Sequence, residues 1–367
     1  MSRRIIFFHP CFLDGGVERT NIGLAKGLID NGYSITFLTT RYTKHFIEEI
    51  NMLGIDLVSL GDMAVSKSLF PLVKFLNNIS KHEKIIFISC QYYVNVISMI
   101  ASLFVKNRKN IVFINSERNH INDLKLKHSI KDFFILCLVK ILYRFADKIV
   151  ANSEETTSDL SNFLKLPVEC LYNPTINERI NELQNEPIFE DWFNNDNRKV
   201  ILSIGRLCFQ KDFDTLIRAF DIFGKFDEYR LIILGEGNDR YRLERLIKEL
   251  KLKDHVFLPG FVCNPYKFLK TADIFILSSK CEGLPNVLIE ALYLKIPSIS
   301  TRCKSGPSEI LLNDDLLVDV GNFEIMAKKI DFVLSHPCRH ILFKKAFENL
   351  NRFEFDNSVN KFLEAIK

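Results

Sequence analysis

The chain has 367 residues, 26% charged and 47% hydrophobic, with 15 glycines and 11 prolines, which excludes a disordered, collagen-like or disulfide-scaffold protein. At roughly 150 residues per domain, two domains are expected. Lys and Arg number 49 against 45 Asp and Glu, a net charge of +4, too near balance for a general nucleic-acid binder. The nine cysteines include no C-x-x-C pair and point to reduced thiols in a cytoplasmic compartment. The start, Met1 to Arg4 followed by Ile5 to Phe8, carries too few apolar residues for a signal peptide. The longest apolar stretch, Phe133 to Val139, falls far short of the ~20 residues of a spanning helix. A cytoplasmic protein is expected, soluble or peripheral at the inner face of the cell membrane.

In chain order, short β-branched and Phe-rich runs predict strands over 5–8, 35–40, 56–60, 84–89, 110–115 and 148–151. Helical periodicity fills the gaps. Val17, Leu24, Ala25, Leu28 and Ile29 share most of one helical face, and Gly32 sits where a C-terminal cap belongs. The strands are nearly all apolar because both faces of a parallel sheet are covered. Residues 173–197 break the pattern with seven Asn, six acids and one base, and are read as an interdomain linker and its flanks. The strand–helix alternation then restarts with 199–204, 230–234, 255–258, 274–278 and 297–301. Val359, Phe362, Leu363 and Ile366 close the chain with an amphipathic helix. The fold class is α/β: two doubly wound, Rossmann-like domains facing a central cleft, with ligands expected at the carboxyl ends of the strands.

Four segments at such ends could carry chemistry. Gly15-Gly16, after the first strand, can turn sharply and offer N–H groups at a helix start; a turn chosen for geometry alone is the alternative. Neither this loop nor Gly235-Glu236-Gly237 completes G-x-G-x-x-G, which argues against a dehydrogenase. Arg206 and Lys211 stand between a buried strand and a helix start, a planar fork and a point charge suited to a diphosphate, or else two solvated loop cations. Asp212 and Asp214 resemble a metal-binding D-x-D, but are placed to cap that helix and complement its dipole. In the third segment Glu282-Gly283-Leu284-Pro285-Asn286 leads into a helix carrying Glu290. Two carboxylates flanking a helix N-terminus can bind hydroxyls while the amides hold phosphate; the bland reading is two surface charges. The fourth, Asn115-Ser116-Glu117-Arg118-Asn119-His120, follows the fifth strand.

The run Glu282-Gly283-x-Pro285 with Glu290 resembles the E-x7-E signature of the GT-B-fold retaining glycosyltransferases of family 4. Gly15-Gly16, Gly205-Arg206-Leu207 with Lys211, Gly235-Glu236-Gly237, Phe257-Leu258-Pro259-Gly260-Phe261 and Ser305-Gly306-Pro307-Ser308-Glu309 follow the family's order. The last is similar to the bacterial branch that builds lipopolysaccharide, capsule or lipid-linked oligosaccharide. The resemblance implies an acceptor-binding domain over 1–172, linker and flanks over 173–198, a nucleotide-sugar-binding domain over 199–350, and a C-terminal helix, 351–367, crossing back to the first domain. It implies that Arg206 and Lys211 hold the diphosphate, Glu290 the ribose and Glu282 the transferred sugar. Amides from Gly283 to Asn286 would meet the distal phosphate and sugar, and the backbone at Phe261-Val262 the base. Either Arg118 or His120 would fill an acceptor-side role. Catalysis without a metal or other cofactor is implied. The expected reaction moves a hexose or N-acetylhexosamine from a nucleotide-diphosphate sugar, uridine favoured as the base, to a glycan or lipid-linked acceptor with retention. A non-catalytic nucleotide-sugar-binding or scaffold partner, or a phosphorylase or epimerase of the same fold, are the alternatives. No nucleic-acid partner is expected.

Charge is uneven. Residues 106–148 contain ten bases and four acids, alongside Phe133 to Val139. A basic, apolar segment suits an anionic membrane surface; a core helix with snorkelling lysines is the other reading.

Overall fold

The computed structural model describes residues 4–11, 16–41, 46–118 and 130–366, with 130–132 as backbone only. The chain forms two compact units: Met1–Pro174 with Phe355–Lys367, and Thr175–Glu354.

The first unit is built on seven parallel strands, β1 (Arg4–His9), β2 (Ser34–Thr39), β3 (Asp56–Ser59), β4 (Ile85–Cys90), β5 (Ile111–Glu117), β6 (Lys148–Ala151) and β7 (Glu169–Cys170), in the order β3-β2-β1-β4-β5-β6-β7. The apolar run of β1 is explained by its two faces. Ile5 and Phe7 enter one core, with Leu24, Ala25 and Leu28 of helix Gly16–Asp30. Ile6 and Phe8 enter the other, with Leu72, Leu76, Val94, Met99 and Leu160. Alternating side chains of a strand buried on both faces must do this. Helix Phe355–Ala365 packs with the first core through Val359 and Phe362, joined by Ile366. The chain therefore returns to its first unit, and the apolar spacing of this tail records that contact.

The second unit has six parallel strands, β8 (Lys199–Ile204), β9 (Tyr229–Leu234), β10 (Val256–Gly260), β11 (Ile274–Leu277), β12 (Ser298–Thr301) and β13 (Leu317–Val318), ordered β10-β9-β8-β11-β12-β13. In each sheet the order of strand addition thus reverses once, between β1 and β4 in the first and between β8 and β11 in the second. Ligands of open α/β sheets bind at the carboxyl ends beside such a reversal.

Residues 175–198, read from composition as linker, belong to the second unit and include helices Glu178–Leu183 and Asp191–Asn194. Trp192 stacks on Phe268 with ring centroids 5.2 Å apart. The buried Arg230 donates to the carbonyl oxygens of Trp192 and Phe193 at 3.2 and 2.7 Å. A few aromatic and cationic contacts outweigh the loop-like composition around them.

Candidate functional site

In the second unit the loop after β8 is held by the loop after β9. Gly205 N–H donates to Leu234 O, and Leu207 N–H to Glu236 O, both at 2.9 Å. A Cβ on Gly235 would lie 2.0 Å from Gly205 O, and one on Gly237 2.1 Å from Leu207 O. Only glycine permits so close a backbone approach. Gly235-Glu236-Gly237 is therefore the seat of the 205–211 loop, which accounts for its failure to match a dinucleotide fingerprint.

From that loop Lys211 crosses Gly205 and reaches Glu282 Oε1 at 2.6 Å. The Glu282 carboxylate follows β11, so the pair spans the reversal point of the sheet. Glu282 is 7% exposed, and its Oε1 also accepts from Ser279 Oγ at 2.5 Å. Its hydrogen bonds and its ion pair among the described residues all fall on Oε1. The two loops are stitched further by Lys280 N–H to Gln210 O (2.8 Å), Gln210 Nε2 to Cys281 O (2.9 Å) and Ser278 Oγ to Lys211 O (2.8 Å). Arg206 is exposed on the same loop and makes no hydrogen bond or ion pair among the described residues. The result is one buried, neutralised pair beside one uncommitted cation.

Gly283, Leu284 and Pro285 continue buried from Glu282, and Asn286 is half-buried. Helix Asn286–Tyr293 begins after Pro285, which stands at its N-cap position rather than in the first turn. Ser305 and Gly306 take φ of 70° and 89°, and a Cβ on Gly306 would sit 2.4 Å from Pro285 Cδ, so this second turn braces the first. Asn286 Oδ1 accepts from Thr175 Oγ1 at 3.2 Å. Half-buried Glu290 accepts from Tyr266 Oη at 3.3 Å. Phe261 and Val262 lie just past β10, where Phe261 is exposed and Val262 half-buried.

Asp212 does occupy the N-cap position of helix Phe213–Phe223, but with φ 47° and no side-chain cap bond. Its carboxylate is instead taken by Lys280 Nζ (3.1 Å) and Thr215 Oγ1 (2.7 Å). Asp214 lies in the first helical turn, as the dipole argument requires, and pairs with Arg218 and Arg242 at 2.8 and 2.6 Å. The capping expectation for Asp212 is thus corrected: a nearby lysine outcompetes the backbone amides.

The first unit carries a second polar cluster at its own reversal point. Gly16 opens helix Gly16–Asp30 with empty space where a Cβ would be. Gly15 and His120 lie outside the described residues. Arg118 is 8% exposed; its Nη1 donates to Asn173 Oδ1 at 2.5 Å and its Nη2 to Asn21 Oδ1 at 3.0 Å. Asn21 Nδ2 in turn donates to His9 Nε2 at 2.7 Å. Burial, then the Arg118 charge, lowers the His9 pKa to about 3, so the ring is neutral. Arg118, one of the two candidates for an acceptor-side role beside His120, turns its guanidinium to Asn173 and Asn21, past the ends of β5 and β1. Next to it, Glu117 Oε1 accepts from Asn95 Nδ2 at 2.7 Å and from Tyr143 Oη. Burial raises the Glu117 pKa to about 8 against the lowering effect of those bonds and of Arg118. His9, Asn21, Asn95, Glu117, Tyr143 and Asn173 were not singled out from sequence; the available signal was a run of polar residues closing an apolar strand, as in Asn115 to Arg118.

Helix Ile130–Leu142 has two apolar faces. Val139 and Leu142 are buried in the first unit's core, whereas Phe133 and Phe134 are 65% and 62% exposed, with Leu138 and Ile141 on the same side. The helix is thus core on one side, as the second sequence reading has it, and presents exposed apolar side chains on the other. No helix among the described residues is long and apolar enough to cross a membrane.

Residues 14–179 match the Glycosyltransferase Family 4 family, and residues 184–349 match Glycosyl transferases group 1. An uncharacterized glycosyltransferase of Methanocaldococcus jannaschii is 32% identical over 84% of this chain and 71% of its own. The N-acetylgalactosamine-N,N'-diacetylbacillosaminyl-diphospho-undecaprenol 4-alpha-N-acetylgalactosaminyltransferase of Campylobacter jejuni is 33% identical over 70% of this chain and 67% of its own. Among solved structures, Anabaena HepE in complex with UDP and glucose superposes with a TM-score of 0.82 over 99% of both chains at 17% identity, a likeness of fold. The chain belongs to the family 4-like glycosyltransferases of the GT-B fold.

Proposed function

We propose that the chain transfers a hexose or N-acetylhexosamine from a UDP-sugar to a lipid-linked or glycan acceptor in bacterial surface polysaccharide assembly, with retention of anomeric configuration and without a metal. The observation that carries the reading is the Lys211–Glu282 pair at the β8/β11 reversal, next to the uncommitted Arg206. Lysine has three N–H donors. One suffices for Glu282, and the others, with the Arg206 fork, hold a diphosphate. Glu282 Oε2 takes a hydroxyl of the transferred sugar, Glu290 a ribose hydroxyl, and the amides from Gly283 to Asn286 the distal phosphate. The backbone at Phe261-Val262 meets the base. In this reading the second unit binds the donor and the first binds the acceptor.

The glycosyl–phosphate bond ionises through an oxocarbenium-like transition state. Arg206 and Lys211 stabilise the charge growing on the leaving diphosphate; preorganised donors of this kind contribute ~3–4 kcal/mol each. The acceptor hydroxyl attacks from the face the phosphate leaves and passes its proton to a phosphate oxygen. The UDP complex of the fold neighbour and the undecaprenol-linked acceptor named for the Campylobacter relative support the choice of partners. The basic segment 106–148 and the exposed face of helix Ile130–Leu142 seat the chain on an anionic leaflet.

The test is transfer from a panel of UDP-sugars to a polyprenyl-diphosphate-linked acceptor in excess chelator, with the product anomer read by NMR. An α-linked product from an α-UDP-sugar is expected. Inversion, or activity abolished by chelator and restored by Mn²⁺, refutes the proposal. Binding of the UDP-sugar with neither transfer nor hydrolysis favours a non-catalytic partner.

A further inference from the structure

The β1/β4 reversal of the first unit holds a residue in a conformation its side chain disfavours. Gln91, directly after β4, has φ 82° and ψ 144°, a region nearly confined to glycine. Its backbone is pinned: the N–H donates to Ser116 O at 3.1 Å, and the carbonyl accepts Asn95 N–H at 2.9 Å. A glycine would make this turn without strain. The glutamine contributes a carboxamide. Its Oε1 accepts from Tyr93 Oη at 2.5 Å, which fixes the amide plane and leaves both Nε2 hydrogens without a protein partner among the described residues. Gln91 is half-buried, and Tyr93 is 41% exposed.

Among the described residues the polar groups around Gln91 are held by hydrogen bonds. Arg118 donates to Asn21 and Asn173, and His9 is neutral. Burial first, then the electrostatic effect of Cys11 and Glu18, raises the Tyr93 pKa, and the phenol donates to Gln91. A primary amide with free N–H groups and an adjoining phenol ring suits a sugar hydroxyl or an acetamido oxygen, with apolar ring faces in contact. Neither Gln91 nor Tyr93 offers a phosphate a positive charge.

We propose that Gln91, oriented by Tyr93, is a specificity-determining residue that hydrogen-bonds the terminal sugar of the acceptor. This rests on the reading of the first unit as the acceptor-binding one. The experiment compares wild type with Gln91→Gly, Gln91→Asn and Tyr93→Phe, using a polyprenyl-diphosphate-linked N-acetylhexosamine and a soluble aryl N-acetylhexosaminide as acceptors. Gln91→Gly should raise the acceptor KM at least ~10-fold, leave the donor KM unchanged, and melt no lower than wild type, because it relieves strain. Gln91→Asn, an amide that tolerates positive φ, should recover part of the loss, and Tyr93→Phe should raise the acceptor KM by less than Gln91→Gly. Normal wild-type transfer with an unchanged acceptor KM in Gln91→Gly overturns this inference alone. No transfer by wild type to either acceptor overturns the proposed function and this inference with it.

Discussion

Replacing Lys211 by Ala should unbalance the site more than it empties it. The partner, Glu282, is 7% exposed and among the described residues would keep the Ser279 hydroxyl at 2.5 Å. At the observed 2.6 Å and an effective dielectric constant of ~20, the lost attraction is ~6 kcal/mol before the cost of desolvating the lysine is returned. Removing one member of a buried pair typically costs ~3–5 kcal/mol, because an uncompensated charge stays behind. For a unit of this size that corresponds to a fall of about 10 °C in melting temperature. Glu282→Gln in the same background should restore much of the stability, since a neutral amide needs no counter-ion. Activity should not return, because the diphosphate has still lost its lysine. Unfolding in urea and transfer kinetics on wild type, both single variants and the double variant measure the coupling directly. Strictly additive effects on stability would refute the pair, and near-normal turnover in Lys211→Ala would refute its place in the donor site.

Three other perturbations separate parts of the account. Gly237→Ala places a Cβ 2.1 Å from Leu207 O and should cost about 1–3 kcal/mol while weakening UDP-sugar binding by displacing the 205–211 loop; a neutral effect in calorimetry would contradict the docking role of Gly235-Glu236-Gly237. Glu117 holds its proton to about pH 8 when folded but only to about 4.5 unfolded, so its contribution to stability is complete below pH 4.5 and is lost as pH rises to about 8. Glu117→Gln cannot ionise and should flatten that slope in pH-dependent urea unfolding, whereas an unchanged slope would show that Glu117 is ordinary. Lys125, Lys127, Lys131 and Lys140 changed together to Glu should release the protein from anionic vesicles in co-sedimentation without altering UDP-sugar binding; wild type that ignores anionic vesicles at low salt would remove the membrane from the account.

Strand positions were legible because both faces of β1, β4, β8 and β11 are buried, and uninterrupted apolar runs result. The two-residue strands β7 and β13 were not anticipated, since two residues carry no periodicity. The 173–197 stretch misled because its asparagines and acids dominate the composition, while Trp192, Phe193 and the distant Arg230 decide the packing. The second unit's candidate residues were readable as ordered segments at strand ends, and the Lys211–Glu282 contact across 71 positions follows from β8 and β11 being neighbours. The first unit's polar network was hidden. Arg118 reaches Asn173 and Asn21 across 55 and 97 positions, contacts that exist only once the sheet order places β1, β4 and β5 side by side.

Arg206, Lys211 and Glu282 are proposed to form a metal-free site for a nucleoside diphosphate. Thermal unfolding with and without UDP, in chelator, tests it most directly. Near 100 times its dissociation constant UDP should add ~2.7 kcal/mol to the stability of the wild type. Arg206→Ala and Lys211→Ala should each lose most of that gain. Equal stabilisation of all three proteins, or stabilisation that appears only when Mn²⁺ or Mg²⁺ is added, would contradict the account.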